Sequence, residues 1–362
     1  MKKIISIVGA RPNIIKMAPI HNKITSTSKF DHFIIHTGQH YDYKMSEIFF
    51  KEFNLPTPNH NLNVGSGTAN HQIGQMLQKL EKVLLNLNPD LVLVYGDTNS
   101  TVAGAIAANK CNYKIGHVES GLRSFDRTMP EEINRILTDH LSDLLFSPTK
   151  TALKNLKRES VSGQVFNTGD LSVEILNESL KIGSSVLNEY RLSPKSYILM
   201  TIHRAENTNS FDNLKSILNI IKNLDSAHKI IFPIHPRTEN LLKKNGLMNS
   251  ILSCKNVKII PPLGYSDFIT LIKNASKVIT DSGGIQKEAY LLKTPCITLR
   301  TNTEWIETLE DEWNVLTGIN YELVLKELKK PKSPLKRKSI FGSGTTSIQI
   351  IKLISNYLLD VG

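Results

Sequence analysis

The segment 277–288 carries the clearest chemical signature in the chain, because an apolar run is followed there by small residues. Ser282, Gly283 and Gly284 would let backbone N–H groups approach a pyrophosphate at the positive end of a helix. Glu288 follows one turn later, where its carboxylate could accept hydrogen bonds from ribose hydroxyls. No Walker loop ending in Lys-Ser or Lys-Thr occurs in the sequence. The pattern predicts a nucleoside diphosphate site, the simpler alternative being a glycine-rich turn between a strand and a helix.

Three carboxylates in the first half of the chain form a candidate acid–base set. Asp97 and Glu119 follow predicted strands, and Glu131 lies in the first turn of a helix that begins after Pro130. Crowding beside a desolvated sugar would raise at least one of their pKa values toward neutrality, giving an acid and a base in one site. Each residue alone could equally be a helix cap or an ion-pair partner, so the prediction depends on all three carboxylates occurring together.

Two histidines end predicted strands in the second half of the chain. His203 is followed by Arg204, and His235 by Pro236 and Arg237. Beside a nucleotide site they predict a metal-free role in stabilising or protonating a leaving pyrophosphate. No spacing typical of a metal site accompanies them, so no metal is expected.

Cations also follow the predicted strands. The first strand is followed by the single glycine Gly9 and then by Arg11, which does not match the dinucleotide fingerprint, so no redox cofactor is expected. Arg11 and Lys16 would suit a substrate phosphate or carboxylate, although Arg11 could instead form a surface salt bridge. The other candidate substrate-binding residues at strand ends are His40, Arg123, Arg237 and Arg300, together with Arg135 on the helix that carries Glu131.

Short apolar runs alternate with helical periodicity along the whole chain, which predicts parallel α/β sheets. Strands are expected near 3–9, 32–37, 91–96, 114–119 and 144–147, and then near 197–203, 229–234, 257–260, 277–280 and 295–299. The 362 residues are therefore expected to form two doubly wound domains, 1–168 and 169–344, followed by a helix at about 345–362. Ligands of such sheets bind beyond the carboxyl ends of the strands, so a cleft between the domains is expected.

Composition excludes several classes of protein. The formal charge of +11 comes from scattered lysines, and the one dense basic run, 326–338, is expected to be a linker because no nucleic-acid-binding motif accompanies it. The absence of an 18-residue apolar run argues against membrane insertion. Three widely spaced cysteines indicate a reducing compartment, and the cytoplasm is the expected location.

Taken together, several segments resemble the non-hydrolysing UDP-N-acetylglucosamine 2-epimerases over almost the whole chain. They are Gly9–Pro19, Gly96–Thr98, His117–Arg123, Pro130–Arg135, His203–Asn207 and Thr280–Glu288. The resemblance implies two Rossmann-like domains of the glycosyltransferase-B type, with the C-terminal helix packed back on the first domain. It also implies a UDP-sugar substrate, a homodimer and no cofactor.

In that family, UDP is eliminated to leave 2-acetamidoglucal and then adds back, with the proton delivered to the other face of carbon 2. The resemblance assigns acid–base roles to Asp97, Glu119 and Glu131 and leaving-group assistance to His203. It places Glu288 on the ribose. Its phosphate-side positions are Arg11, Lys16, His235, Ser282, Gly283 and Gly284.

Three departures from the family pattern affect the prediction. Ser120 replaces the usual alanine and could add one hydrogen bond beside Glu119. Thr303–Glu307 places Trp305 where the family usually has arginine, which removes a cation near the sugar. The segment 65–72 lacks the Arg-Gln pair used by many bacterial members for an activating second substrate molecule, so allosteric activation is not assumed.

The exact sugar stays open at this stage. The Trp305 variant and the segments 36–42 and 45–50 are also similar to relatives that epimerise UDP-2,3-diacetamido-2,3-dideoxyglucuronate. UDP-N-acetylglucosamine is favoured as the commoner substrate of the family, in synthesis of surface polysaccharide precursors. The sequence also leaves open a glycosyltransferase of the same fold, a hydrolysing 2-epimerase and a non-catalytic nucleotide-sugar sensor.

Overall fold

The computed structural model describes residues 1–39, 43–330 and 338–359. His40 and most of the basic run 326–338 lie outside these residues. The chain divides into two units: unit 1 comprises Met1–Asn177 and the segment from Ser339 onward, and unit 2 comprises Glu178–Lys338. This division lies inside a helix, whereas the sequence analysis placed the domain boundary between 168 and 169.

The described residues form two sheets, and strands alternate with helices along most of the chain. The strands are β1 Lys2–Val8, β2 Phe30–His36, β3 His60–Asn61, β4 Leu91–Tyr95, β5 Ile115–Val118, β6 Leu144–Ser147, β7 Gln164–Asn167, β8 Ile198–Thr201, β9 Ile230–Pro233, β10 Val257–Ile260, β11 Lys277–Thr280, β12 Cys296–Thr298 and β13 Asn314–Leu316. The helices are α1 Arg11–Thr27, α2 Tyr43–Glu52, α3 Ala69–Leu87, α4 Asn99–Lys110, α5 Pro130–Leu141, α6 Lys150–Arg158, α7 Leu171–Ile182, α8 Val186–Glu189, α9 Ala205–Thr208, α10 Phe211–Asp225, α11 Pro236–Lys244, α12 Met248–Leu252, α13 Tyr265–Asn274, α14 Gly283–Leu291, α15 Tyr321–Lys329 and α16 Thr346–Leu359, with a 3-10 helix at Ile306–Glu312.

Unit 1 is built on a parallel sheet with strand order β3-β2-β1-β4-β5-β6-β7. The central strand β4, Leu-Val-Leu-Val-Tyr, is buried along its whole length, as expected for a parallel strand covered on both faces. The chain runs outward from β1 through β2 to β3 and then crosses back to β4. The ends of β1 and β4 therefore form the topological switch point of this sheet. Helix α16 packs against α1 within the same unit.

Unit 2 repeats this plan with strand order β10-β9-β8-β11-β12-β13, again parallel. Its core is formed by the inward faces of α10 and the strands, including Ile217, Ile221 and Phe232. The chain crosses back between β10 and β11, so the switch point lies between β8 and β11. The two Rossmann-like α/β sheets predicted from the sequence are confirmed.

Three strands were not predicted from the sequence, and each lies at a sheet edge. β3 has only two residues, β7 is exposed at both ends, and β13 is buried only at its first residue. Among the described residues, no helix is both long and apolar enough to cross a membrane.

Candidate active site

A buried asparagine joins the two loops at the topological switch point of unit 1. Asn13, in the first turn of α1, donates from Nδ2 to the carbonyl oxygen of Tyr95 at 2.7 Å. Its Oδ1 accepts hydrogen bonds from the N–H of Ala10 at 3.1 Å and from the Thr98 hydroxyl at 3.1 Å. The loops after β1 and β4 are thereby held side by side, which places the start of α1 next to Asp97.

Lys16 and Glu119 form a nearly buried ion pair at this edge of the sheet. Lys16 Nζ lies 2.5 Å from Glu119 Oε1, and the two side chains are only 13% and 9% exposed. Gly96 has a φ of 66°, and a Cβ added there would lie 3.0 Å from Lys16 Nζ. The ammonium group therefore lies over the residue that immediately precedes Asp97.

The backbone of Glu119 is held in an unusual conformation. Its φ of 74° is in the left-handed region, which costs free energy for a residue with a side chain. The N–H groups of Glu119 and Ser120 both donate to the carbonyl oxygen of Phe146, at 3.1 Å each. This anchoring to β6 directs the Glu119 carboxylate toward Lys16. The Ser120 hydroxyl, which could have added a hydrogen bond, has no such partner among the described residues.

Asp97 is held by helix α5. Its Oδ2 accepts from Nη1 of Arg135 at 2.6 Å, and its carbonyl oxygen accepts from Nδ2 of Asn134 at 2.9 Å. Arg135 is 1% exposed and also pairs with Glu132 at 2.7 Å. Glu131 is partly exposed in the first turn of the same helix. Arg135 therefore acts as an internal partner of Asp97, and its role in substrate binding stays a prediction.

Arg123 is likewise turned inward. Its guanidinium pairs with Asp139 at 2.7 Å and with Glu159 at 2.6 Å, and the side chain is buried. Arg11, by contrast, is partly exposed at the start of α1 and lies 5.1 Å from the centre of the Phe49 ring. Of these two predicted substrate-binding cations, only Arg11 has exposed surface to offer a ligand.

His117 connects Asp139 with the loop that carries Asp97. Its Nδ1 lies 2.7 Å from Asp139, and its Nε2 lies 2.8 Å from the carbonyl oxygen of Gly96. The His117 ring therefore bridges the Asp139 carboxylate and the backbone of the Gly96 loop. Burial alone would raise the pKa of the Asp139 carboxyl, but the hydrogen bond and charge of His117 and the charge of Arg123 hold that pKa below its ordinary value.

In unit 2, a buried aspartate organises the switch point. Asp281 follows β11 and accepts from the N–H groups of His203 and Arg204 at 3.1 and 3.0 Å, and from Nδ2 of Asn207 at 3.0 Å. Its carboxylate also lies 3.6 Å from His203 Nδ1. Asp281 thus fixes the loop after β8 against β11 and orients the His203 ring.

The two predicted histidines of unit 2 lie close together. The ring centroids of His203 and His235 are 5.7 Å apart. His235 is the N-cap of α11, and its Nδ1 accepts from the N–H of Arg237 at 3.2 Å, which leaves the ring proton on Nε2. Arg237 is exposed and donates to Asn209 at 2.7 Å. The exposed edge of this loop can therefore present N–H donors to an anion.

The start of α14 combines small residues with nearby charges. Ser282 is the N-cap, and Gly283 and Gly284 are the first two helical residues. A Cβ added to Gly283 would overlap Glu304 Oε1, whereas one added to Gly284 would meet nothing within 4 Å. Glu288 is partly exposed in the second turn. These backbone N–H groups and the helix dipole favour an anion at this end.

The Thr303–Glu307 segment packs against α14 and β12. Arg300 is buried, and its Nη1 lies 2.9 Å from Glu304 Oε2. Trp305 is also buried, and Lys287 Nζ lies 4.1 Å from the centre of its ring. Lys287 is therefore a cation stacked on the ring of Trp305.

Among the predicted site residues of unit 1, contacts join Lys16 to Glu119 and Asp97 to Arg135. In unit 2, His203 lies beside His235. The assignment of Arg11, Glu131 and Glu288 to the site stays a prediction. Among the described residues, no cluster of three or more His, Cys, Asp or Glu side chains could hold a metal ion.

A family model described as UDP-N-acetylglucosamine 2-epimerase matches residues 22–355. The chain belongs to this 2-epimerase family. It is 52% identical to a protein of Methanococcus maripaludis named UDP-N-acetylglucosamine 2-epimerase homolog, over 98% of this chain and 99% of the relative. It is 39% identical to the UDP-2,3-diacetamido-2,3-dideoxy-D-glucuronate 2-epimerase of Pseudomonas aeruginosa, with the same coverage.

A solved structure agrees with this 2-epimerase assignment. The crystal structure of the Methanocaldococcus jannaschii UDP-GlcNAc 2-epimerase in complex with UDP-GlcNAc and UDP superposes with a TM-score of 0.93. The two chains are 46% identical, and the match covers 98% of this chain and 99% of that chain. The predicted family is confirmed, and so is its enzyme class, isomerase.

Sequence reasoning missed three buried polar residues that hold loops or turns in place: Asn13 and Glu132 in unit 1 and Asp281 in unit 2. Asn13 lies in the first turn of a helix that follows a strand, and Asp281 lies between a strand and a pair of glycines. These positions alone could have suggested that both residues hold the loops at strand ends. Glu132 gave no signal, because nothing in the local sequence distinguishes it from Glu131.

Proposed function

We propose that the protein is a non-hydrolysing UDP-N-acetylglucosamine 2-epimerase that interconverts UDP-N-acetylglucosamine and UDP-N-acetylmannosamine. The observation that carries the proposal is the arrangement at the ends of β4 and β5, where the Lys16–Glu119 pair lies over Gly96, directly before Asp97. This arrangement supports acid–base chemistry at a carbon atom. The chain is also 46% identical to an enzyme whose structure was solved with UDP-GlcNAc.

The reaction proceeds by anti elimination and re-addition. A carboxylate removes the proton from carbon 2 while the bond between carbon 1 and the UDP oxygen breaks, which gives 2-acetamidoglucal and UDP. The UDP oxygen then adds back to carbon 1, and a carboxylic acid protonates carbon 2 from the opposite face. Asp97, Glu119 and Glu131 supply these groups, and each step conserves atoms and electrons without a redox cofactor.

Unit 2 supplies the nucleotide-binding groups. The N–H groups at Ser282, Gly283 and Gly284 and the dipole of α14 stabilise the negative charge of the diphosphate as UDP departs. His203 and His235 donate to the same leaving group, and Glu288 accepts from the ribose. Arg237 and Arg300 add positive charge near these strand ends.

The protein acts as a homodimer in the cytoplasm and supplies precursors for surface polysaccharides. The cytoplasmic assignment is supported by Cys111, Cys254 and Cys296, all free thiols, as expected for a reducing compartment. The dimer is tested by light scattering on the eluting peak of a gel-filtration column. The expected mass is twice the 40.6 kDa of one chain.

The second candidate function is the same reaction on UDP-2,3-diacetamido-2,3-dideoxyglucuronate. It is favoured by the Trp305 substitution and by 39% identity to the Pseudomonas aeruginosa enzyme. The uronate carboxylate would require a cationic partner, because an unpaired charge away from water is costly. Measuring kcat/KM for both substrates decides between them, and a preference of about a hundredfold for the uronate, close to 2.7 kcal/mol, would replace the first choice.

The test of the chemistry is turnover in deuterium oxide followed by NMR. The purified enzyme, given UDP-N-acetylglucosamine and no nicotinamide, should place deuterium at carbon 2 of both epimers. Retention of the original proton through turnover excludes the elimination mechanism. Release of free N-acetylmannosamine would indicate a hydrolysing enzyme, and turnover only with an added sugar acceptor would indicate a glycosyltransferase. Binding without turnover would indicate a sensor.

A further inference from the structure

A buried carboxylate outside the predicted catalytic set carries this inference. Glu132 is the third residue of α5 and is 1% exposed. Its oxygens accept from the N–H groups of Ser124 and Phe125, both at 2.9 Å, and from the Ser124 hydroxyl at 3.0 Å. Glutamate at this helix position usually caps its own helix. Glu132 instead binds a turn that precedes the helix.

The charge of Glu132 is maintained by these contacts. Burial alone would raise the pKa of its carboxyl, but the Ser124 N–H bond and the charge of Arg135 outweigh this effect and hold the pKa below its ordinary value. The side chain is therefore ionised at neutral pH, and Arg135 is its counter-ion.

The same arginine holds Asp97. Nε and Nη2 of Arg135 donate to Glu132 at 3.0 and 2.7 Å, while Nη1 donates to Asp97 at 2.6 Å. The planar guanidinium has a fixed geometry, so anchoring two of its nitrogens on Glu132 fixes the direction of the third. A chain of contacts therefore runs from Glu132 through Arg135 to Asp97.

The turn bound by Glu132 leads directly to Glu131. Phe125 has a φ of 59° and a side chain that is 71% exposed, so its conformation is strained and it gains little from packing. Its N–H bond to Glu132 stabilises this conformation. Beyond it, the N–H of Met129 donates to the carbonyl oxygen of Asp126 at 3.1 Å, immediately before Pro130 and Glu131.

We propose that Glu132 is a positioning residue for the epimerisation, acting through Arg135 on the Asp97 carboxylate and through the turn at 124–125 on the segment that leads to Glu131. The inference rests on the proposed function, because that function assigns Asp97 to the reaction. Glu132 itself is buried and hydrogen-bonded to the protein, so it acts on other residues and does not contact substrate.

A double-mutant cycle on the full-length enzyme tests the proposal. Glu132→Gln should lower kcat by about tenfold or more while the Kd for UDP stays within about twofold. Because Glu132 acts partly through Asp97, adding Glu132→Gln to Asp97→Asn should lower kcat by a clearly smaller factor than Glu132→Gln does in the wild type. If the fold-losses in kcat of the two single variants multiply in the double variant, the proposal is overturned. The control is Glu159→Gln, which alters another carboxylate–arginine pair and should keep kcat within about twofold.

If Glu132→Gln does not fold, the cycle is run with Glu132→Asp, which keeps the charge and is one methylene shorter. Its smaller loss of kcat should be reduced further in the Asp97→Asn background, and a loss of the same size in both backgrounds counts against the proposal. If the wild-type enzyme epimerises neither substrate, the proposed function is wrong. If the wild-type enzyme is active but the losses of kcat caused by the Glu132 and Asp97 substitutions multiply in the double variant, only the role of Glu132 is wrong.

Hydrogen exchange gives an independent measurement that requires no substrate. Amide exchange of the segment 120–129, followed by mass spectrometry, should be about tenfold faster in Glu132→Gln than in the wild type. It should be unchanged in Glu239→Gln, which removes an exposed pair with Lys243 in unit 2. Unchanged exchange in Glu132→Gln would overturn the proposal, because it would mean that the carboxylate does not hold the turn.

Discussion

Lys16 Nζ lies 2.5 Å from Glu119 Oε1, in a position where neither side chain has much access to water. A carboxylate that is shielded from water binds a proton more readily once the cation paired with it is removed. We therefore expect Lys16→Met to lower turnover at neutral pH by about tenfold or more and to move the acidic limb of the pH profile of kcat/KM to higher pH. The measurement is kcat/KM across pH 5–9, an interval chosen to bracket neutrality.

The matched control for this prediction is Lys2→Met, which removes the cation of an exposed pair with Asp90 in the same unit. Exposed pairs contribute little, so this variant should keep the wild-type profile. An unshifted acidic limb in Lys16→Met would show that Glu119 does not depend on this lysine.

Two groups of residues should have separable kinetic effects. Asp97→Asn and Glu131→Gln should each lower kcat by on the order of a hundredfold or more and leave UDP binding intact, because general acid–base groups contribute that much. Glu288→Ala should mainly weaken UDP binding. Kinetics and calorimetric titration with UDP separate the effects, and near-normal turnover in the Asp97 or Glu131 variant would assign that carboxylate a structural role.

Adjacent glycines at the start of α14 should respond differently to alanine. Gly283→Ala would place a methyl group against Glu304 Oε1 and disturb its pair with Arg300, so we expect a loss of about 1–3 kcal/mol in the free energy of unfolding. Gly284→Ala meets no neighbouring atom within 4 Å and should be neutral or stabilising by up to about 1 kcal/mol, because alanine favours helix. Urea unfolding of both variants tests this, and equal losses would contradict it.

Stability should fall in acid partly because of Glu132. Its pKa in the folded protein lies below the ordinary value of 4.5, so the unfolded chain takes up the proton first as the pH falls. The stabilisation by Glu132 is complete above that value and is lost as the pH falls through the lower pKa of the folded state. Glu132→Gln should cost on the order of 3 kcal/mol at neutral pH and show a flatter decline in acid.

The measurement is urea unfolding at several pH values between about 3 and 7. Glu239→Gln is the control, because Glu239 pairs with Lys243 on an exposed helix surface. This control should follow the wild-type curve. A Glu132→Gln curve parallel to that of the wild type would contradict the prediction.

The two α/β sheets and the positions of the strand ends were predictable from the sequence, because buried parallel strands are continuous apolar runs and polar residues follow them. Asp97, Glu119, His203 and the Ser282–Gly284 turn all lie where those runs end. The edge strands β3, β7 and β13 were not predictable, because they are short and partly exposed. They are defined mainly by pairing with a neighbouring strand.

The sequence alone determined which residues lie at the strand ends, whereas the tertiary structure decided which of them face inward. Arg123 and Arg135 looked like substrate cations, but carboxylates from other elements hold both guanidinium groups in the interior. Glu131 and Glu132 are adjacent and chemically identical, yet only Glu132 is buried. Helix phase and partners distant in sequence determine that difference, because a buried charge is stable only where the fold brings an opposite charge to meet it.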